Sequence, residues 1–368
     1  MQMMRAAILD SAPGPLRIES IPVPAPNAGE VLVRISACGV CHTDLHVIKA
    51  EVAFPVPAVL GHEITGTVEA LGPGVRGPAP GTQVASAFIM PCGVCQSCGI
   101  GRDDLCENFF GMNRLRGTLY DGTTRLRRAD GTRLAMYSMA GLAEYAVVPA
   151  TDVFPLPPSL PLLESCVMGC AVFTAYGAVR HSADLRGGER VAVVAAGGVG
   201  LNVVQIARAF GASQVIAIDV RRDKLDIASR LGATDVIDAR TENVAERVKQ
   251  LTGGQGVDVA FEVLGRPETF VHAFESIRDG GRMVAVGIAA GKATAPVEIT
   301  RLVRRGLRII GSYGARTRAD MPEILRLAER GIFRPEAMVT QRFPLDEADA
   351  AYQALDRGDI VGRAIVVP

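Results

Sequence analysis

The sequence contains no tryptophan, and aromatic residues make up only 5% of its 368 positions. Its interior must be built mainly from Ala, Val, Leu and Ile. Neither sign of charge is in excess, because Lys plus Arg and Asp plus Glu both number 39. A chain without a basic surplus has little with which to neutralise a phosphate backbone or grip an anionic membrane, so neither nucleic acid nor membrane is an expected partner. No apolar run approaches the length of a bilayer span, and the first residues lack the basic flank and apolar stretch of a secretory signal. The expected compartment is the cytoplasm. In that setting the eight cysteines argue for thiolates rather than disulfides, and six of them stand at spacings that suit a metal.

The length is too great for one ordinary core and points to two domains. Up to about residue 148 the pattern is one of short β-like runs, such as residues 31–36, 65–70 and 145–148, separated by Gly and Pro. Beyond residue 172, apolar strands at 190–196, 214–219, 235–238, 258–264, 282–287 and 307–311 alternate with amphipathic helices. Six such strands suit a doubly wound dinucleotide fold. The expected fold class is therefore α/β: a mainly β domain over residues 1–171, a doubly wound parallel-sheet domain over 172–313, and a return segment, 314–368, that completes the first domain with a helix at 321–330 and a strand at 364–367. Residues 108–139, rich in Arg, Gly and Asp, show no clear period and read as a long surface excursion.

Cys92, Cys95, Cys98 and Cys106 form C-x2-C-x2-C-x7-C. Four soft thiolates close together make a closed tetrahedral site in which zinc has a structural role. An iron–sulfur run would place its fourth cysteine nearer the third. A zinc ribbon for nucleic acid would want a basic surface.

The stretch Gly39-Val40-Cys41-His42-Thr43-Asp44-Leu45-His46 gathers a thiol, two imidazoles, a hydroxyl and a carboxylate in one turn-like segment. Gly61-His62-Glu63 and Met168-Gly169-Cys170 follow at a distance. One Cys, one His and a second Cys are a three-ligand set that leaves zinc an open fourth position for water or a substrate oxygen. Singly, each is weak: a lone His is more often a packing residue, and a lone Cys a small buried hydrophobe. Cys38 and Cys166 belong to neither set and read as packing.

Residues 190–200 describe a strand, a tight turn and the start of a helix. The glycine fingerprint G-x-G-x-x-G is imperfect here, with Ala195 in its first place. Gly197 permits close approach of a pyrophosphate, Gly200 lets the helix pack on the strand, and the helix N-terminus offers free N–H groups. The extra methyl of Ala195 predicts a slightly shifted turn. Asp219 ends the second strand, where a carboxylate accepts ribose hydroxyls and favours NAD over NADP. Arg221 and Arg222 beside it argue for a 2′-phosphate, or are surface charges at a helix start.

Taken together, these features give a sequence that resembles the zinc-dependent medium-chain alcohol dehydrogenases along essentially its whole length. The most specific parts are Gly61-His62-Glu63-x2-Gly66-x5-Gly72-x2-Val75, the four-cysteine lobe, and Gly169-Cys170 followed by Thr174. The resemblance implies a GroES-like catalytic domain, a Rossmann domain, two zinc ions per subunit and NAD. It implies catalytic zinc ligation by Cys41, His62 and Cys170, with Asp44 fixing the His62 tautomer and Glu63 as an additional, transient ligand. Thr43 and His46 match the proton relay, and His42 a contact to cofactor phosphate. Lys224 and Arg363 match contacts to adenine ribose and pyrophosphate, with solvated surface charge as the competing reading. Thr174, Gly198, Val199 and Val286 match cofactor-lining positions. Thr43 and Phe88 match substrate positions, Phe88 as a pocket wall, although an ordinary core Phe explains it equally well. The implied activity is reversible oxidation of primary alcohols, aromatic and allylic ones among them, to aldehydes by hydride transfer to NAD. Alternatives are a hydroxymethyl-thiol (formaldehyde adduct) dehydrogenase and a zinc-dependent aldehyde reductase. The implied partners are a small alcohol or aldehyde and further copies of the chain, as a homodimer or homotetramer.

Overall fold

Short apolar runs broken by Gly and Pro form strands in the first half of the chain: β1 (Met3–Leu9), β2 (Leu16–Pro22), β3 (Glu30–Val40), β4 (Ala58–Val59), β5 (Ile64–Leu71), β6 (Gln83–Ser86), β7 (Leu126–Arg127), β8 (Arg133–Met136), β9 (Tyr145–Pro149) and β10 (Phe154–Pro155). The computed structural model describes residues 2–289 and 291–368. In the second half β11 (Arg190–Val194), β12 (Gln214–Asp219), β13 (Asp235–Asp238), β14 (Val257–Glu262), β15 (Ile277–Ala285) and β16 (Arg308–Gly311) alternate with helices, and β17 (Val339–Pro344) and β18 (Arg363–Val367) follow. Contacts divide the chain into one unit of Met1–Phe173 with Arg316–Pro368 and another of Thr174–Ala315. Among the described residues no helix is long and apolar enough to cross a membrane.

The first unit holds two sheets, ordered β2-β1-β4-β8-β7 and β10-β6-β5-β3-β18-β17, with β9 also against β3. β3 is the pivot. It pairs antiparallel with β5 from Val31↔Leu71 to Cys38↔Ile64, and with β9 and β18 over its two ends. The register Val40↔Ala364 brings the last strand of the chain beside the start of the Cys41 segment. That segment is a helix, His42–Ile48, rather than the turn expected from its composition. Asp44, Leu45, Val47 and Ile48 are its buried residues, and a helix is what puts neighbouring positions three and four apart on one face.

Residues 108–139 are a surface excursion only in part: 115–116, 121–122 and 129–133 are exposed, but the segment also enters the core. Phe109, Leu119, Leu126, Leu134, Met136 and Met139 are all buried, and β7 and β8 extend the first sheet. Charges that suggested solvent find partners instead. Arg125, only 7% exposed, binds both oxygens of Glu30 at 2.6 and 2.8 Å, and Arg128 pairs with Glu19 at 2.8 Å. The Asn113 amide donates to the carbonyls of Thr118, Met136 and Ser138, closing the loop on itself.

The second unit is a six-stranded parallel sheet in the order β13-β12-β11-β14-β15-β16, the crossover order of a dinucleotide-binding fold. Strands such as β11 (RVAVV) and β14 (VDVAFE) are apolar on both faces because helices cover both. Val194, Ile216, Ile218, Ile237, Val257 and Met283 form one core beneath them. β15 begins at Ile277, five residues ahead of the expected 282, with an irregularity in its pairing to β14 at Val257/Val259.

The turn after β11 keeps the geometry that a glycine would favour. Ala195 sits at φ +79°, in the left-handed region where a Cβ is unfavourable. A Cβ on Gly200 would lie 2.0 Å from the Ala195 carbonyl oxygen, so helix Gly198–Ala209 packs here only without one. The methyl of Ala195 is thus borne as strain of about 1 kcal/mol, partly offset by the stiffer unfolded chain that alanine confers. Ala195→Gly is expected to raise the urea midpoint for unfolding of this unit, by about 0.5 kcal/mol of stability; a lowered midpoint would show that the methyl is held by favourable packing.

Candidate metal centres and nucleotide turn

Two neighbouring strands and one distant segment build the first centre. β3 ends at Val40, so Cys41 leaves it in extended conformation at the head of helix His42–Ile48. β5 begins at Ile64, directly after His62 and Glu63, and the Gly39 N–H donates to the Glu63 carbonyl at 2.8 Å. Gly61 turns the chain there at φ +99°, where a Cβ would also strike the Leu142 N–H and the Cys38 sulfur. Cys170 follows the short helical stretch Glu164–Gly169, pinned by the Phe88 N–H to the Gly169 carbonyl at 2.9 Å. One donor atom from each of Cys41, His62, Glu63 and Cys170 lies within 4.8 Å of the others, and all four residues are buried.

The electrostatics of this cluster suit a cation. A hydrogen bond from Cys170 pulls the Cys41 thiol well below its ordinary value, against the effect of burial. Burial opposes charge on His62, yet Asp44 and Cys41 together raise it to about 10. Glu63 is pushed up to about 7 by burial, with Arg363 working the other way. His62 Nδ1 lies 3.1 Å from Asp44 Oδ1, which leaves Nε2 as the free ring atom. His62 Nε2 and Glu63 Oε2 are buried without a hydrogen-bond partner, the kind of orphaned donor set that a metal satisfies. Sulfur, imidazole and sulfur, with a carboxylate alongside, fit zinc.

Thr43 Oγ1 lies 3.6 Å from the Cys41 sulfur. His46, on the same helix, places Nδ1 2.5 Å from Glu51 Oε2, a partner that the sequence did not suggest. Phe88 and Tyr137 stand edge-on to the His62 ring at 6.0 and 6.3 Å between centroids, so Phe88 borders the cluster rather than a remote core. Cys38 and Cys166 are fully buried and lie outside the donor set. Arg363 is not a solvated charge: it is buried in an ion pair with Glu63.

The second centre is the cysteine lobe. Its four sulfurs also lie within 4.8 Å of one another, with Cys92–Cys98 and Cys95–Cys106 at 4.0 Å, close to the edge of about 3.8 Å that four Zn–S bonds of ~2.3 Å would span. Backbone N–H groups of Cys92 and Phe109 donate to the Cys106 sulfur, and those of Val94 and Cys95 to the Cys92 sulfur. Arg318, from helix Thr317–Glu329, ties the lobe down through Asp103 at 2.7 Å and the Cys98 carbonyl at 2.7 Å.

In the second unit, a Cβ built on Gly197 would meet nothing within 4 Å, leaving open space at the head of helix Gly198–Ala209. Gly198, Val199 and Gly200 are its first turn. Asp219, at the end of β12, accepts the N–H of Ala196 at 2.8 Å and of Arg221 at 3.0 Å, so its carboxylate is held beside the glycine turn. Arg221 pairs with Asp223 and Arg222 with Asp226. Lys224 lies half-buried on helix Arg222–Arg230, and Val286 is buried just beyond β15. Thr174 opens this unit and His42 the helix of the first.

A mainly β unit carrying a buried Cys–His–Cys donor cluster and a four-thiolate lobe, together with a doubly wound parallel sheet, defines a metal-binding dehydrogenase architecture. Family models agree: the alcohol dehydrogenase GroES-like domain matches residues 27–158, and the zinc-binding dehydrogenase model matches residues 198–330. The chain is similar to S-(hydroxymethyl)glutathione dehydrogenase of Saccharomyces cerevisiae, 33% identical over 366 residues, 96% of this chain and 94% of that one. It is also similar to NDMA-dependent alcohol dehydrogenase of Amycolatopsis methanolica, 34% identical over 359 residues and 96% of each chain. Among solved structures, benzyl alcohol dehydrogenase from Acinetobacter calcoaceticus superposes with a TM-score of 0.93 at 28% identity, covering 100% of this chain and 99% of that chain. The chain belongs to the zinc-dependent medium-chain alcohol dehydrogenase family.

If the lobe holds zinc, removing one sulfur leaves three thiolates without a closed site. Cys106→Ala is expected to lower the zinc content by one ion per chain and to cost on the order of 3 kcal/mol or more of stability. Metal analysis and a melting curve test this; an unchanged zinc count would sink the structural role.

Proposed function

We propose that this protein oxidises primary alcohols to aldehydes, reversibly, with NAD as hydride acceptor, one catalytic zinc at Cys41, His62 and Cys170, and one structural zinc at the cysteine lobe. The observation that carries the reading is the buried donor cluster, in which a histidine anchored at Nδ1 by Asp44 has an unpartnered Nε2 beside two sulfurs. Zinc held by Cys41, His62 and Cys170 would supply Lewis acidity that favours loss of the alcohol proton, and a nicotinamide held by the nucleotide unit would supply the hydride acceptor.

The chain's own residues do the rest. Asp44 fixes the His62 tautomer, so that the lone pair of Nε2 faces the cluster. Thr43, whose Oγ1 lies 3.6 Å from the Cys41 sulfur, would accept the proton of the substrate hydroxyl while passing its own proton on along the relay that ends at His46. His46 delivers it toward solvent, its imidazole held by Glu51. Glu63 balances Arg363 and is the additional donor. Phe88, edge-on to the His62 ring, is the pocket wall, an apolar ring that suits aromatic and allylic alcohols. In the nucleotide unit, Asp219 repels a 2′-phosphate, and the charges of Arg221 and Arg222 are already paired with aspartates; both points favour NAD over NADP. His42, Thr174, Gly197, Gly198, Val199, Gly200, Lys224, Val286 and Arg363 complete the cofactor set.

A second reading, oxidation of a hydroxymethyl thiol formed from formaldehyde, is supported by the similarity to the yeast enzyme over nearly the full chain. The two share chemistry and differ in substrate. Initial rates of NADH formation with benzyl, allyl and simple primary alcohols, against glutathione plus formaldehyde, separate them; the first reading expects kcat/KM at least tenfold higher for the alcohols. Cys170→Ala is expected to lower kcat by three orders of magnitude or more, since a ligand of the reacting metal is removed; near-normal turnover with one zinc per chain confirmed missing would falsify the assignment.

Assembly as a homodimer or homotetramer is part of the same proposal. β16 is the last strand of its sheet, and Ile309 on it, with Ile299 and Val303 on helix Ile299–Arg304, leaves apolar surface exposed. Light scattering should give two or four times the 38.8 kDa of the chain; a monomer at micromolar concentration would contradict it.

A further inference from the structure

Tyr352 lies on helix Ala348–Asp356, far along the chain from every donor of the first centre, yet its hydroxyl donates to Asp44 Oδ2 at 2.8 Å. The other oxygen, Oδ1, accepts from His62 Nδ1 at 3.1 Å and from the Gly61 N–H at 3.2 Å. Tyr352, Asp44 and His62 are each 2% exposed or less. Burial, with Asp44 nearby, pushes the phenol well above its ordinary value, so it remains a donor. A carboxylate gripped through one oxygen alone can swing about its Cβ–Cγ bond, and the imidazole bonded to it swings too. Gripped through both oxygens, its plane is set, and with it the direction of His62 Nε2 among the Cys41, Glu63 and Cys170 donors.

We propose that Tyr352 is a positioning residue for the metal, acting through Asp44 on His62 to hold the imidazole in its ligating orientation. The inference rests on the reading that Cys41, His62 and Cys170 hold zinc. A group bonded directly to a ligand, as Asp44 is to His62, alters metal affinity by about tenfold to a hundredfold when removed; Tyr352 stands one bond further out, so about tenfold, the low end of that range, is expected of it. The Tyr352→Phe ring fills nearly the same space, so what it removes is the hydrogen bond, leaving Asp44 Oδ2 buried and unpaired.

The cysteine lobe makes the test internally controlled, because nothing in the Tyr352 chain touches it. Zinc-loaded protein is diluted into excess chelator, and the metal released is counted with time. Wild type should release two ions per chain in two phases. Tyr352→Phe should speed one phase about tenfold and leave the other unchanged. Asp44→Asn should speed the same phase, and the double variant should release it no faster than Asp44→Asn alone, because Tyr352 works only through that carboxylate. Equal release from Tyr352→Phe and wild type overturns the proposal, as does acceleration of both phases together, or effects of the two substitutions that simply multiply. A wild type that holds only the lobe zinc overturns the catalytic reading and this inference with it, whereas two ions with identical profiles overturn this inference alone.

Discussion

Negative donors buried around one point set the terms for the rest of the first unit. Two charges 4 Å apart repel by about 4 kcal/mol even at an effective dielectric constant of 20, and Cys41, Glu63 and Cys170 bring three ionisable acids within 4.8 Å of one another in a buried site, where they cannot all ionise without a compensating charge. Such a cluster is stable only with positive charge in its midst and fixed cations at its edge. The buried Glu63–Arg363 pair is the visible part of that balance. Removing one partner of such a pair leaves the other as an uncompensated buried charge, at a cost of several kcal/mol, so Arg363 is bound to the centre as firmly as the donors themselves.

This constraint explains why the end of the chain returns to its beginning. Residues 316–368 contribute β18 next to β3, and through it Arg363; helix Ala348–Asp356 contributes Tyr352, and helix Thr317–Glu329 contributes Arg318. Each meets an acidic group laid down in the first part of the chain: Glu63, Asp44 and Asp103. The antiparallel register Val40↔Ala364 does most of this work, since it places Arg363 one residue beyond a fixed pair at the Cys41 end of β3. A truncated chain would keep the donors of the cluster and lose the charges that compensate them.

What could be read from the sequence was whatever depends on short spacing or on period. The cysteine lobe is local, and the six parallel strands are contiguous apolar runs; both were visible, along with Asp219 at a strand end. What could not be read depends on pairing across the chain. Arg363 lies 300 positions from Glu63 and Tyr352 lies 308 from Asp44, and no pattern within either segment names its partner. Residues 108–139 misled for a related reason. Arginine and aspartate signal solvent when their partners are unknown, and Glu30, which meets Arg125, sits 95 positions away. The backbone of Ala195 could not be read either: the residue type favours negative φ, yet it sits in a left-handed conformation.

The two donor clusters differ in a way that bears on what each can do. In the cysteine lobe, backbone N–H groups donate to the sulfurs of Cys92, Cys95 and Cys106, so the fold itself supplies partners to three of the four. In the first centre the donors are less fully satisfied: His62 Nε2 and Glu63 Oε2 have no hydrogen-bond partner, although such groups cost about 1–3 kcal/mol each when buried. A sequence selected only for stability would have filled those positions with apolar side chains of the same size. Local violations of this kind persist where a site must accept something from outside. The contrast is between a lobe whose sulfurs meet backbone donors and a centre that keeps buried atoms without a hydrogen bond, and it is the second that the proposed chemistry requires.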